Sequence, residues 1–175
     1  MLSPMFPDAS FWIRHLQLSK HIEGGYYSEI YKSGLTLSGS QLPTVFGTDA
    51  NRHACTHIYF LLEKNQFSAF HRIRSEELWH FYAGDSLIIY EIEKTGNLVK
   101  HVLGPDPGKG QQLFSYVKAG NWFGAALPEG TDFALVGCTV SPGFDYADFE
   151  MADRQSLLAE FPQHAQLIQS LTRSH

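Results

Sequence analysis

The stretch "FHRIRSEELWHFYAG", Phe70–Gly84, holds two histidines, two adjacent glutamates and a tryptophan, and stops at a glycine. Imidazole and carboxylate groups this close in sequence suit two chemistries, ligation of a divalent metal or transfer of a proton. Alternation in "SAFHRI" groups Ala69, His71 and Ile73 on one side of a strand, so His71 shares an apolar face and points inward. On the next strand Glu77 alternates with Trp79 and Phe81, and Glu76 with Leu78, His80 and Tyr82. A bulge after the "RS" turn could exchange which group faces inward, but either way an acid goes in. A buried carboxylate needs a partner or a raised pKa. His71 is one candidate partner and Arg72 or Arg74 the other, while His71 alone also reads as a core histidine satisfied by a backbone carbonyl. His80 stands three residues beyond Glu77, which on a regular strand means the opposite face, so its joining the pair requires a bulge.

Further candidates are softer. Tyr59, Tyr82 and Tyr90 are strand tyrosines that could supply an acid, and Trp79, Trp122 and Phe123 could stack on a flat ligand or serve as plain core. Cys138 alternates with Val136 and Val140 as a buried small hydrophobe, and His57 reads as a solvent-side or interface residue. Asp145, Asp148 and Glu150 fit a turn-rich link that places acids near a helix N-terminus. Gly24 and Gly25 mark a tight turn.

The elements that must position these groups are mostly strands. Nine short runs rich in Tyr, Phe, Ile, Val and Thr lie between Gly25 and Ser141, from "GYYSEIYK" to "DFALVGCTV". Turn signals separate them: "GD" at Gly84, "KTGN" at Lys94, and "GPDPGKG" at Gly104, whose prolines bar a central strand. No crossover helix interrupts the runs, which leaves an antiparallel sandwich or barrel. "FWIRHLQLS" predicts a short helix starting near Asp8 with an acidic first turn and ending at "HIEGGYY". The C-terminal segment repeats Leu157, Leu158, Phe161, Leu167, Ile168 and Leu171 at helical spacing, broken at Pro162, and would cover one face of the sheet. "GSQLPTVFGTDANRHA", Gly39–Ala54, reads as a long loop.

With 175 residues, 43% of them hydrophobic, the chain suits one domain over 1–175: helix and turn to 24, barrel over 25–141, link and helical cap over 142–175. Net charge is -5 and no Lys/Arg cluster offers a phosphate-tracking surface, so nucleic acid is not an expected partner. Two distant cysteines imply no disulfide framework, and no basic start with an apolar run or membrane-length stretch occurs; a cytoplasmic protein without a membrane partner is expected.

A family resemblance rests on these same residues. "His71-x-Ile73-x-x-x-Glu77" with Gly84 resembles the first cupin motif, and "Gly120-Asn121-Trp122-Phe123" the second. The pieces "HIEGGYYSEIY", "HIYFLL", "SAFHRIRSEELWHFYAG", "GNWFGA" and "LVGCTVSPGFDYADFE" look closer still to the cupin-5 type of RmlC-like proteins. The resemblance implies a mainly β double-stranded β-helix, an RmlC-like jelly-roll barrel, with a short N-terminal helix and C-terminal helices. Metal-binding cupins use three histidines and a glutamate; here the second and third histidine positions are Ile73 and Phe123, so no cofactor is favoured and a divalent metal on His71, Glu77 and His80 is the alternative. The leading functional expectation is a small-molecule-binding cupin with metal-independent acid/base chemistry, epimerase- or isomerase-like, on a sugar or nucleotide-linked ligand. In it His71 and Glu77 are catalytic, and Tyr59, Ile73, Trp79, His80 and Phe123 bind the ligand. A non-catalytic metabolite-binding module is a further possibility. The resemblance also implies a homodimer, with "GGYYSEIY" as the abutting segment.

Overall fold

The structure, a computed structural model, describes residues 7–173; the start of the N-terminal stretch searched for a leader lies outside them. All nine strand runs form strands. They are β2 (Tyr26–Lys32), β5 (Thr56–Glu63), β6 (Phe67–Arg72), β7 (Glu76–Gly84), β8 (Leu87–Ile92), β9 (Leu98–Leu103), β10 (Phe114–Val117), β11 (Trp122–Ala126) and β12 (Phe133–Ser141). Four short strands join them, β1 (Ser19–Lys20), β3 (Thr36–Ser38), β4 (Asn51–His53) and β13 (Glu150–Met151), each too brief to display an alternation. Two antiparallel sheets result, in the orders β1-β2-β5-β12-β7-β10 and β13-β6-β11-β8-β9, with β3 and β4 pairing apart.

Phe60, Trp79, Ile89, Leu103, Phe123 and Val136 fill the space between the two sheets. The outer face of the five-stranded sheet, with Phe70, Ile92 and Trp122, is covered by α2 (Arg154–Glu160) and α3 (Ala165–Ser170) through Leu157, Phe161, Ile168 and Leu171. Pro162 divides the two helices as expected, and each fully buried Leu or Ile there contributes about 1.5–3 kcal/mol. On the opposite side α1 (Ala9–His15) lays Trp12, Ile13 and Leu16 over Leu61 and Leu135. Asp8 is its N-cap, accepting from Phe11 N at 2.7 Å, and the first turn proper has no acid. The helix ends at His15 rather than at "HIEGGYY", because Gln17 takes a left-handed conformation with φ 53°.

Two features of this frame position the site. At Gly24 (φ 120°) and Gly25 (φ 70°) the chain doubles back so closely that a Cβ on Gly24 would lie 2.0 Å from the Phe67 carbonyl oxygen. That turn lays residues 21–23 against β6, where Ala69 N donates to Glu23 O at 2.8 Å. Second, the segment expected to be a featureless loop carries the β3–β4 pair and delivers Arg52 to a buried ion pair with Asp148, at 2.6 Å (Nε to Oδ2) and 2.7 Å (Nη2 to Oδ1). At the other edge of the sandwich a buried chain of groups joins the sheets: Ser115 Oγ to His101 Nδ1 at 2.7 Å, and His101 Nε2 to Glu91 Oε2 at 2.8 Å.

Candidate functional site

A cavity of about 230 Å³ opens between the sheets where β6 and β7 face one another. His71 comes from β6 and Glu77 from β7, with Ile73, Cys138 and Tyr27 also on the wall. Phe144, Tyr146 and Phe149, from the link after β12, pack edge to face and close one side.

His71 is almost wholly buried, and both its ring nitrogens are engaged. Nδ1 lies 2.7 Å from the Ala69 carbonyl oxygen, which only accepts, so Nδ1 carries a proton. Nε2 lies 3.2 Å from Glu23 Oε2. At that distance the two groups form an ion pair whenever the ring carries its second proton. Ser68 donates to Glu23 Oε1 at 2.9 Å, which fixes the carboxyl plane. His21 completes the cluster, its Nδ1 accepting from Glu23 N at 3.3 Å; burial lowers its pKa, outweighing the opposing pull of Glu23. The His71 ring is held by Phe123 at 4.1 Å and by Phe149, stacked at 5.3 Å.

Glu77 faces this pair from the other sheet and is 8% exposed. Burial, and secondarily the charge of Glu23, push its pKa up to about 8, against a smaller lowering by a hydrogen bond with the Cys138 thiol. Cys138 is itself raised well above the ordinary thiol value, by burial first, and holds its proton. A native carboxyl that keeps its proton longer than the unfolded one binds more protons than the unfolded chain between about pH 4.5 and 8, so its contribution to stability falls as pH rises through that window. Glu77→Gln should therefore flatten a decline of at most about 1.4 kcal/mol per pH unit, read from denaturant midpoints at several pH values. An unchanged slope would place an ionised Glu77 in the native protein.

The expected residues divide into two groups. His71, Ile73 and Glu77 line the cavity. Trp79 is core, packed edge to face on Phe60 and Phe123, and Phe123 lies behind the His71 ring. Two placements correct the expectation. His80 is on the outer face of β7, its Nε2 3.1 Å from Thr139 Oγ1, because the strand runs regularly from Glu77 to His80. Tyr59 is on that same outer face beside His57 and Tyr82, so it does not reach the cavity; the tyrosines that do are Tyr27 and Tyr146. The partner of His71 is also corrected, from Glu77 to Glu23. Neither nearby arginine is engaged with Glu77: Arg72 pairs with Glu150 and Arg74 with Asp148. Asp148 does not merely precede a helix; it is buried against Arg52. Glu23, His21 and Tyr27 escaped the sequence reading, although an acid set directly before Gly-Gly is a signal that could have found Glu23.

The cupin metal positions can be tested against this geometry. Two of the four are carbon side chains, Ile73 and Phe123, and His80 faces away. Both nitrogens of His71 are engaged, and among the described residues no group of three His, Cys, Asp or Glu side chains is arranged to hold a metal ion. The donor set does not fit the three-histidine, one-glutamate site of metal-binding cupins.

Two facing antiparallel sheets with this inner site define a cupin-type jelly roll. The model of the Cupin_5 family, described as cupin superfamily (DUF985), matches residues 10–152, and the chain belongs to that family. A crystal structure of a protein from Shewanella oneidensis is 38% identical, with a TM-score of 0.85 over 97% of this chain and 100% of that one. A hypothetical protein from Leishmania major is 34% identical, with a TM-score of 0.86 over 96% and 100%. More distant likenesses carry the fold alone. A cupin 2 domain-containing protein from Halorhodospira halophila is 14% identical, with a TM-score of 0.53 over 90% and 88%. An oxalate decarboxylase variant from Bacillus subtilis is 14% identical, with a TM-score of 0.52 over 89% of this chain and 37% of that one. Comparison with curated proteins finds no match. Among the described residues no helix is long and apolar enough to cross a membrane.

Proposed function

We propose that the protein binds a monosaccharide-sized molecule in this cavity and moves a proton on it without a metal, in the manner of an isomerase or epimerase. The observation that carries this reading is the 3.2 Å approach of His71 Nε2 to Glu23 Oε2, an imidazole and a carboxylate side by side at the cavity wall. From its ion-paired form the pair can work in both directions, His71 giving its Nε2 proton and the Glu23 carboxylate taking one from a carbon beside a carbonyl. Glu77, uncharged near neutral pH, offers a donor from the facing sheet. Of the two ligand classes expected, the sugar suits the space: about 230 Å³ is below the roughly 300–1,000 Å³ of sites for drug-sized ligands, and a nucleotide diphosphate sugar exceeds it.

The test is proton exchange. A panel of reducing sugars incubated in deuterated buffer should include one whose hydrogen next to the carbonyl is lost from the proton NMR spectrum. His71→Asn should abolish that loss with the circular dichroism spectrum unchanged. Binding without exchange by the unaltered protein would leave a binding module in place of an enzyme.

We also propose a homodimer formed through β2. β1 pairs only with Tyr26 and Tyr27, so Ser28–Lys32 have β5 on one side and no strand of the described residues on the other. Ile30 and Tyr31 are exposed on that edge, which suits pairing with the same segment of a second copy. Light scattering should give twice the 19.7 kDa chain mass, and Ile30→Lys with Tyr31→Lys should return a monomer. A monomeric unaltered protein would end this reading. The free thiols of Cys55 and Cys138 favour a reducing compartment such as the cytoplasm.

A further inference from the structure

We propose that the ligand of this cavity is a polyhydroxy compound that carries an amine and no phosphate. The inference rests on the reading of the cavity as a small-molecule site and adds the charge of its occupant.

Glu77 is a buried carboxyl turned into open space, and among the described residues its side-chain hydrogen-bond partner is a thiol, a weak donor. Folded proteins seldom leave a buried acid so poorly matched, and an ammonium group supplies what is missing: positive charge and three donors. The rest of the wall agrees. Glu23 and Glu29 also line the cavity, and no Lys or Arg does among the described residues. Arg52 and Arg74 are engaged elsewhere on Asp148 and Arg72 on Glu150, while Lys32 pairs with Glu29 itself, so the unmatched carboxyl of the wall is Glu77. Tyr27, Phe144, Tyr146 and Phe149 add aromatic rings, whose faces attract cations. A phosphate placed here would meet carboxyl groups and ring faces with no guanidinium or ammonium to neutralise it; of the histidines on the wall, His71 is already matched by Glu23 and burial holds His21 toward its neutral form. An amine instead takes the proton of Glu77 or displaces it to solvent, leaving an ion pair in the cavity.

Calorimetry at pH 8 with glucamine, sorbitol and sorbitol 6-phosphate separates the charge classes on one carbon skeleton. Glucamine should bind at least about tenfold tighter than sorbitol, as one buried charge-assisted contact provides. Sorbitol 6-phosphate should give no heat. Glu77→Gln should reduce glucamine to the level of sorbitol, with an unchanged circular dichroism spectrum showing that the variant is folded. Equal affinities for glucamine and sorbitol, tighter binding of the phosphate, or an amine preference that survives Glu77→Gln would each overturn the amine while leaving the sugar-binding reading intact. Silence from all three probes, together with no exchange in deuterated buffer, would overturn both.

Discussion

Glutamine at position 23 will slow proton exchange on the ligand by roughly 10²–10⁴-fold while leaving the fold in place. The amide is isosteric with the carboxylate and can satisfy the same neighbours: its oxygen accepts from Ser68 Oγ, and its nitrogen donates to His71 Nε2. His71, with Nδ1 tied to the Ala69 carbonyl, then becomes a neutral imidazole with one fixed tautomer. The polar contacts survive, and the ionisable carboxyl is gone. Nitrogen NMR of the ring should report that single neutral tautomer, and thermal unfolding should move by only a few degrees. Removing the negative charge of Glu23 should also lower the Glu77 midpoint from about 8, because that charge is the second cause of its elevation. Glu23→Ala is the contrasting variant. It leaves Ser68 Oγ and His71 Nε2 buried without a partner, at a cost of about 1–3 kcal/mol for each unsatisfied group, so it should lose stability as well as exchange. Exchange undiminished in Glu23→Gln would show that the pair is structural.

The sequence made the frame legible wherever a period governs it. Alternation separates Glu77, Trp79 and Phe81 from His80, because successive strand side chains take opposite faces, and the regular run of the strand then settles which group is the inner one. Helical spacing locates the apolar side of the C-terminal cap, and Pro162 its break. What stayed hidden has no period. Glu23 sits in a turn, and its partners Ser68 and His71 lie 45 and more residues further along the chain. Arg52 and Asp148 are 96 positions apart, each within a loop-like segment whose composition suggests exposure. Tyr59 was ambiguous for a related reason. Both faces of the six-stranded sheet carry aromatic residues, since α1 covers part of the outer one, and polarity no longer marks the interior. Residue types therefore pointed to two groups on the cavity wall, His71 and Glu77, and tertiary folding sets Glu23 beside them.

The largest loss of stability from a single side chain is expected at Asp148. Asp148→Ala leaves the Arg52 guanidinium, 8% exposed, without the carboxylate that engages both Nε and Nη2. Breaking a buried pair from one side costs about 3–5 kcal/mol, because the remaining charge stays out of water unpaired. For a chain of this length that is a fall of roughly 6–20 °C in unfolding temperature. Arg74, 3.4 Å from the same carboxylate but largely exposed, should matter far less: Arg74→Ala is worth less than about 1 kcal/mol. The pair also bears on the site. Asp148 belongs to the link whose Phe144, Tyr146 and Phe149 close the cavity, so the alanine variant should weaken ligand binding along with the fold. Combining Arg52→Met with Asp148→Leu removes both charges and refills the volume, which should restore most of the stability. Calorimetric unfolding of Arg52→Met, Asp148→Leu and the double variant measures this coupling directly. If the double variant recovers its unfolding temperature and its ligand affinity together, packing is enough to hold the link closed; recovery of the temperature alone would assign the ion pair the task of setting the angle at which the aromatic wall meets the ligand.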